Sequence, residues 1–279
     1  MRLLPGRGAS HAAISLAAAT FCGAWPLAAL QGREGRGGPL WTVEGLRAGQ
    51  CVRFLMDPAV AGDETPAGFR PVRADGDQGL HPAIRSVVDA QPEFAPWTPA
   101  SLCLFYADAI HLGAQRFGNK DPRKKQLLGF WNMAAVEQAT TARRDIVLEL
   151  FGTGGDLVQA AERAKVKFRE ARSGVSKVAG SGNDLYNVKL GNTRLVWNGR
   201  AAGDSTAVVH PIEELWLARG ASGTTWRIRA DMRPAWTRPL VGVLSVEGKD
   251  DLAKALKHSP TRFVGPLYTG GGGVLRFSR

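Results

Sequence analysis

The 279-residue chain is 44% hydrophobic and 22% charged, and it carries 36 Lys and Arg against 25 Asp and Glu. That length and apolar content suit a globular chain with a full core, as one large domain or two small ones. The basic balance points to anionic partners such as an anionic small molecule, a lipid headgroup or a glycan, with a plainly solvated surface as the alternative; no nucleic acid partner is expected.

Arg2 and Arg7 precede an apolar run from Ala12 to Leu30 that ends in small residues. This is the layout of a secretory signal, with cleavage after Ala24 or Ala29, so residues 1–29 are expected to be a signal peptide and the protein to be exported, periplasmic or secreted. Gly23 and Pro26 interrupt the run, so membrane contact is expected only through an uncleaved N-terminus. Residues 30–39 read as a flexible glycine-rich spacer. Cys51 and Cys103 are the two cysteines left after cleavage, and an oxidising compartment permits a bridge between them; two buried free thiols are the alternative.

Residues 40–279 are expected to form one β-rich domain. Leu40–Leu46 and Gln50–Met56 read as strands, and Pro58 to Gly79 as a long surface loop. Pro82 opens a short helix striped by Ile84, Val87 and Val88. Ser101–Leu112 is apolar on both faces, the pattern of a central strand, and Gly113–Lys125 is a polar loop. Leu127–Val136 is a buried run, Asp145–Phe151 a strand, Asp156–Ala164 a short helix, and Ser173–Asn183 a Gly/Ser loop.

The clearest element is the hairpin Asp184–Gly199, turned at Gly191-Asn192. A two-residue turn sets Leu190 opposite Thr193, Val188 opposite Leu195 and Tyr186 opposite Trp197, all on one largely apolar face. Glu214–Arg219 and Thr224–Ala230 follow as strands, Leu240–Val246 as a buried strand, and Asp250–His258 as a helix with acids at its positive end. Arg262–Tyr268 and Val274–Phe277 close the chain. Short connections favour antiparallel pairing, so the expected fold is mainly β: a single antiparallel β-barrel or curved β-sandwich with a few short helices.

Several chemistries lack their signatures. Gly152–Gly155 lies between strand and helix but has neither GxGxxG spacing nor a P-loop lysine, and Asp156 would repel a phosphate. His81, His111, His210 and His258 are isolated, so no metal and no cofactor is expected. There is no GxSxG elbow.

Phe117-Gly118 followed by Pro122-Arg123-Lys124-Lys125 resembles the acetoacetate decarboxylase family, whose motif joins an aromatic, a proline and two lysines. The resemblance implies a Schiff-base enzyme in which Lys124 or Lys125 is the nucleophile and the other lysine lowers its pKa. It spans about fifteen residues, and the upstream Gly-Arg-Glu of the family stands here as Gly113-Ala114-Gln115. An exposed basic loop accounts for the same residues, so the family is not adopted and the lysine enzyme is kept as the alternative.

The leading reading is an exported binding protein. Lys189, Arg194, Arg227 and Arg229 lie on the strand faces opposite the apolar ones, and Lys189 faces Arg194 across the hairpin. If those faces turn into a cavity, the four residues would hold an anionic group; if outward, they are surface. A structural cell-envelope protein that uses a sheet edge is a third class.

Overall fold

The hairpin forms in the register its turn dictates, with Leu190 opposite Thr193, Val188 opposite Leu195 and Tyr186 opposite Trp197. Gly191 takes φ 57° and Asn192 does not take a positive φ, as a type II′ turn requires at its first central position. Leu190, Thr193, Leu195 and Trp197 are buried, while Lys189, Arg194 and Asn198 are exposed.

The structure, a computed structural model, describes residues 41–46, 49–117, 126–163, 166–177, 183–207, 212–218, 225–231, 235–265, 267–270 and 273–278. The expected signal (1–29) and spacer (30–39), His210, and both Lys124 and Lys125 lie outside the described residues. The chain opens with β1 (Trp41–Leu46), β2 (Gly49–Met56), α1 (Pro58–Glu64), β3 (Phe69–Pro71) and α2 (Pro82–Ala90). Next come β4 (Thr98–Ala107), β5 (Ala109–Leu112), β6 (Gln115–Phe117), β7 (Gln126–Glu137), β8 (Arg143–Gly152), α3 (Gly155–Arg163) and β9 (Phe168–Lys177). The hairpin is β10 (Asp184–Leu190) and β11 (Thr193–Ala201), followed by β12 (Thr206–Ala207), β13 (Ile212–Ala218), β14 (Thr225–Asp231) and β15 (Ala235–Arg238). The rest is β16 (Leu240–Glu247), α4 (Asp251–His258), β17 (Arg262–Val264), β18 (Leu267–Gly270) and β19 (Gly273–Ser278).

The fold is mainly β, as expected, and its sheet is a nearly closed barrel with a few short helices. Strands β2, β4, β7 and β8 pair antiparallel in that order. At β8 the sheet divides. Its C-terminal half, Leu150–Gly152, pairs parallel with β9, which leads through β10 and β11 to β16. Its N-terminal half, Ile146 and Val147, pairs parallel with β13, which leads through β14, β19 and β1 to β5, the continuation of β4 past Asp108. The second circuit closes on itself. The first continues from β2 to β17 and, among the described residues, is left open between β17 and β16; α4 packs against β2 and β16 with Leu252, Ala255 and Leu256 fully buried.

The shared strands therefore feed two cores. On β4, Leu102 and Leu104 join the core under α4, while Cys103, Phe105 and Ala107 join the core of the second circuit. On β7, Trp131 and Met133 face the first and Leu128 and Phe130 the second. This is why both strands read as continuous apolar runs. A bulge in β8 at Leu148, between the pairs Trp131–Glu149 and Asn132–Val147, turns Glu149 toward the first core. There Glu149, 2% exposed, meets Arg169 at 2.5 Å, and Arg169 meets Asp250 at 2.6 Å. Asp250 caps α4 by accepting from Ala253 N (3.0 Å) and accepts from the Thr193 hydroxyl. Burial pushes the Glu149 carboxyl above the ordinary value, against the pull of Arg169. Asp250 lies below its ordinary value: burial opposes this, and hydrogen bonds from Thr193, Ala253 and Arg169 outweigh it.

Several local expectations need correction, among them the predicted polar loop Gly113–Lys125, whose Gln115–Phe117 is strand β6 paired with β5, and the predicted strand Arg262–Tyr268, which divides into β17 and β18. The loop predicted over Pro58–Gly79 contains α1, because Asp57 Oδ1 accepts from Ala59 N at 2.8 Å and Pro58 stands at the first helical position. The predicted strand Ser101–Leu112 breaks at Asp108 into β4 and β5. Part of the predicted Ser173–Asn183 loop is strand, since β9 runs to Lys177 on the far side of β10. Leu240–Val246 is a strand but not a buried one: among the described residues β16 pairs with β11 alone, and Val241 and Val243 are 56% and 70% exposed.

Candidate functional site

A cavity of about 550 Å³ opens on the face of β2, β4, β7 and β8 that belongs to the second circuit, with Leu215 of β13 at its side. The segment from Asp77 to Ile84, in the excursion between β2 and β4, forms the opposite wall. The register arranges the floor in rows. Arg53 on β2 is directly opposite Ser101 on β4, and Ser101 is directly opposite Asn132 on β7. In the next row lie Cys51, Cys103 and Phe130. Neighbouring strands are about 4.8 Å apart, so each row spans roughly 10 Å, enough to line one side of a small molecule.

Each polar group on this floor has a definable state. Ser101 Oγ donates to Asn132 Oδ1 at 2.5 Å, which leaves the Asn132 amide nitrogen without a partner among the described residues. Arg143 on β8 gathers two carboxylates. Its Nε and Nη2 donate to Asp77 at 2.7 and 3.1 Å, and its Nη1 donates to Asp145 at 3.0 Å. Asp77 also accepts from Gly79 N at 3.0 Å. Burial pushes the Asp145 carboxyl up, with the charges of Arg143 and then Arg53 pulling the other way.

His81 caps α2: its Nδ1 accepts from Ala83 N at 3.2 Å, and its ring stacks on Phe263 with centroids 4.5 Å apart. An accepting Nδ1 puts the ring proton on Nε2. Burial and then the charge of Arg53 lower its pKa, so His81 is an uncharged donor at neutral pH. Arg53 itself is half-buried and makes no hydrogen bond or ion pair among the described residues; it feels Asp145 only as a longer-range attraction. Among the described residues, the cavity thus offers one uncommitted guanidinium and the neutral donors of Asn132, His81 and the exposed Gln78, beside an apolar wall that includes Phe130 and Leu215.

A disulfide joins Cys51 and Cys103, which are direct partners in the β2–β4 pair. It encloses the whole excursion that carries the Asp77–Ile84 wall. Closing a loop of this length stabilises by about 4 kcal/mol in the chain-entropy model.

The structure places the four basic residues singled out in the sequence away from this cavity. Lys189 and Arg194 do face each other across the hairpin, both exposed, and Arg194 donates to Asn187 (3.1 Å) and pairs with Glu247 (3.1 Å). Arg227 is exposed and Arg229 half-buried on β14, where Arg229 is opposite Arg276 of β19. None of the four is among the residues that line the cavity. Sequence reasoning missed Arg53, Ser101, Asn132, Arg143 and Asp145. One signal was present: Asn132 is the one side chain with both hydrogen-bond donors and an acceptor within the apolar run Leu127–Val136. A buried polar group of that kind asks for a partner.

Among the described residues, no group of three or more His, Cys, Asp or Glu is placed to hold a metal ion, and no described helix is long and apolar enough to cross a membrane. No family model and no curated protein matches the chain. Several solved structures are similar to the chain over most of its length. An acetoacetate decarboxylase from Legionella pneumophila is 10% identical with a TM-score of 0.47, covering 87% of both chains. The enduracididine biosynthesis enzyme MppR complexed with pyruvate is 12% identical with a TM-score of 0.45, over 86% of this chain and 89% of that one. An acetoacetate decarboxylase-like enzyme from Sphingomonas wittichii is 10% identical with a TM-score of 0.43, over 87% and 92%. Identities and scores this low carry no argument about activity, and the fold stands on its strand pairing.

Proposed function

We propose that the protein binds a small organic anion in the β2–β4–β7–β8 cavity, with the anionic group on Arg53 and its oxygens shared by the Asn132 amide and His81 Nε2–H. The observation that carries this reading is Arg53: a half-buried cation in a cavity of ligand size whose carboxylates are both bonded to Arg143 instead. Typical small-molecule sites span about 300–1,000 Å³ and pair an apolar wall with a few convergent polar groups. A hydrogen bond to a charged group such as this guanidinium contributes about 1.5–3 kcal/mol. Arg53→Gln is therefore expected to weaken binding of a monocarboxylate by about tenfold to a hundredfold, read by calorimetry across a panel of short and aromatic carboxylates. Arg194→Ala and Arg227→Ala, away from the cavity, leave that affinity unchanged. A panel with no binder, or one whose binding survives Arg53→Gln, refutes the reading.

Export belongs to the same proposal and rests on residues 1–29 alone. The protein recovered from its host should have lost 24 to 29 residues by intact mass, and a full-length cytoplasmic product overturns it. The competing reading is the lysine enzyme. Among the described residues that line the cavity there is no lysine, so it depends on Lys124 or Lys125. Borohydride with a β-keto acid traps an adduct on one of them if that reading holds, and no adduct across several keto acids removes it.

A further inference from the structure

The cavity presents a disulfide to whatever enters it. Cys51 and Cys103 form the row next to Arg53 and Ser101, and both line the cavity. Their exposure is 8% and 5%, too little for the active site of a protein oxidoreductase to dock on, which leaves the cavity as the approach for a small molecule. Cys51 and Arg53 are two apart on one strand, on one face, with Cα atoms about 7 Å from each other.

Thiol–disulfide exchange needs a thiolate to attack one sulfur and a second thiolate to leave, and a nearby cation favours the leaving thiolate. Among the described residues, Arg53 is the cavity cation that no carboxylate holds. The same guanidinium would also draw in an attacking thiol that carries a carboxylate.

We propose that the cavity is a site of thiol–disulfide exchange with small carboxylate-bearing thiols, which the Cys51–Cys103 disulfide oxidises; the proposal rests on the anion site at Arg53. In the first step the thiolate RS⁻ attacks Cys103 Sγ. The Cys51–Cys103 bond breaks, an RS–Cys103 mixed disulfide forms, and Cys51 leaves as a thiolate beside Arg53. In the second step another RS⁻ attacks the R-side sulfur, giving RSSR and releasing Cys103 as a thiolate. The protein gains two electrons, and the two protons lost from the thiols end on the cysteines, so protein disulfide and two RSH become protein dithiol and RSSR.

The test compares mercaptopropionate (anionic), mercaptoethanol (neutral) and cysteamine (cationic) on the folded, full-length protein. Rates are expressed per thiolate and divided by the rate of each thiol with a small neutral disulfide. Mercaptopropionate is expected to exceed cysteamine by about tenfold or more, the scale of electrostatic focusing in a charged cleft. Acid quench and peptide mapping should catch the mixed disulfide on Cys103. Arg53→Gln should bring the ratio close to one while circular dichroism and the melting curve show an intact fold. Absence of any reaction with the folded protein, a charge-independent rate, or a preference that survives Arg53→Gln overturns the proposal. Propionate, which has the carboxylate and no thiol, separates the two readings. If it binds the wild type and not Arg53→Gln while mercaptopropionate shows no preference, the anion site stands and the exchange falls. If propionate and mercaptopropionate both fail, both readings fall.

Discussion

Asp77 is the latch between the excursion that walls the cavity and the barrel itself, and its removal gives a loss that can be worked out beforehand. The side chain is fully buried and accepts three hydrogen bonds, two from the Arg143 guanidinium and one from Gly79 N. Breaking a buried ion pair by deleting one partner costs about 3–5 kcal/mol when the other charge is stranded. Arg143 is not stranded, since it is 38% exposed and keeps Asp145. The expected loss for Asp77→Ala is therefore nearer 2–3 kcal/mol, and smaller for Asp77→Asn, which can keep part of the geometry.

The excursion is also held by its own cluster, in which Leu80, Ile84 and Val88 pack against Leu55. Loosening the latch should thus expose residues 57–97 to limited proteolysis before the barrel unfolds. Urea melts and a timed protease digest read the two effects separately. A double-mutant cycle with Arg143→Ala should return a coupling of at least about 1 kcal/mol. A loss under about 0.5 kcal/mol, or additive single mutants, refutes the latch.

Two further outcomes follow from the first core. Trp197→Ala should cost about 3–5 kcal/mol in a urea melt, since the ring is 3% exposed and packs on Tyr186, whereas Asn187→Ala on the other face should stay within about 0.5 kcal/mol. Glu149→Gln tests the buried carboxyl: with a folded pKa raised above the unfolded one, the native state holds a proton that the unfolded chain has released. Wild-type stability relative to the glutamine variant should therefore fall as pH rises from the ordinary glutamate value through the raised one, and then level off. A difference that is flat or rises over that window refutes the raised pKa.

The hairpin was legible because two independent local codes agreed there, the turn pair and the period-two alternation. The class of fold followed from the many strand signals with short connections. The division at β8 was not legible: parallel pairing of β8 with both β9 and β13 is set by contacts far apart in the chain, and nothing local marks it. β16 carries the apolar composition of an inner strand, yet its place at an edge leaves Val241 and Val243 outside. Nothing near Arg53 in the sequence marks it as a cavity residue, because the second core on its side of β2 is built by distant strands such as β13, β14 and β19. Even so, a bridge assumed between Cys51 and Cys103 would have aligned β2 with β4 and put Arg53 opposite Ser101. The cavity's floor could have been reached from the cysteines, and its far wall could not.

The two-sided burial of β4 and β7 leaves these strands without a side that water can identify. In a sheet with one wet face, a one-residue slip exposes every apolar side chain, and that penalty holds the register. Here the same slip would only exchange one oily interior for the other. What it would not tolerate is the transfer of Asn132 and Ser101 into the core under α4 as unpaired polar groups, or the separation of Cys51 from Cys103. The polar floor of the cavity is thus also the key that tells these strands how to align. A substitution that makes the floor greasier removes ligand contacts and alignment together, so the pocket is freer to diversify at exposed positions of its far wall such as Gln78 than anywhere on its floor.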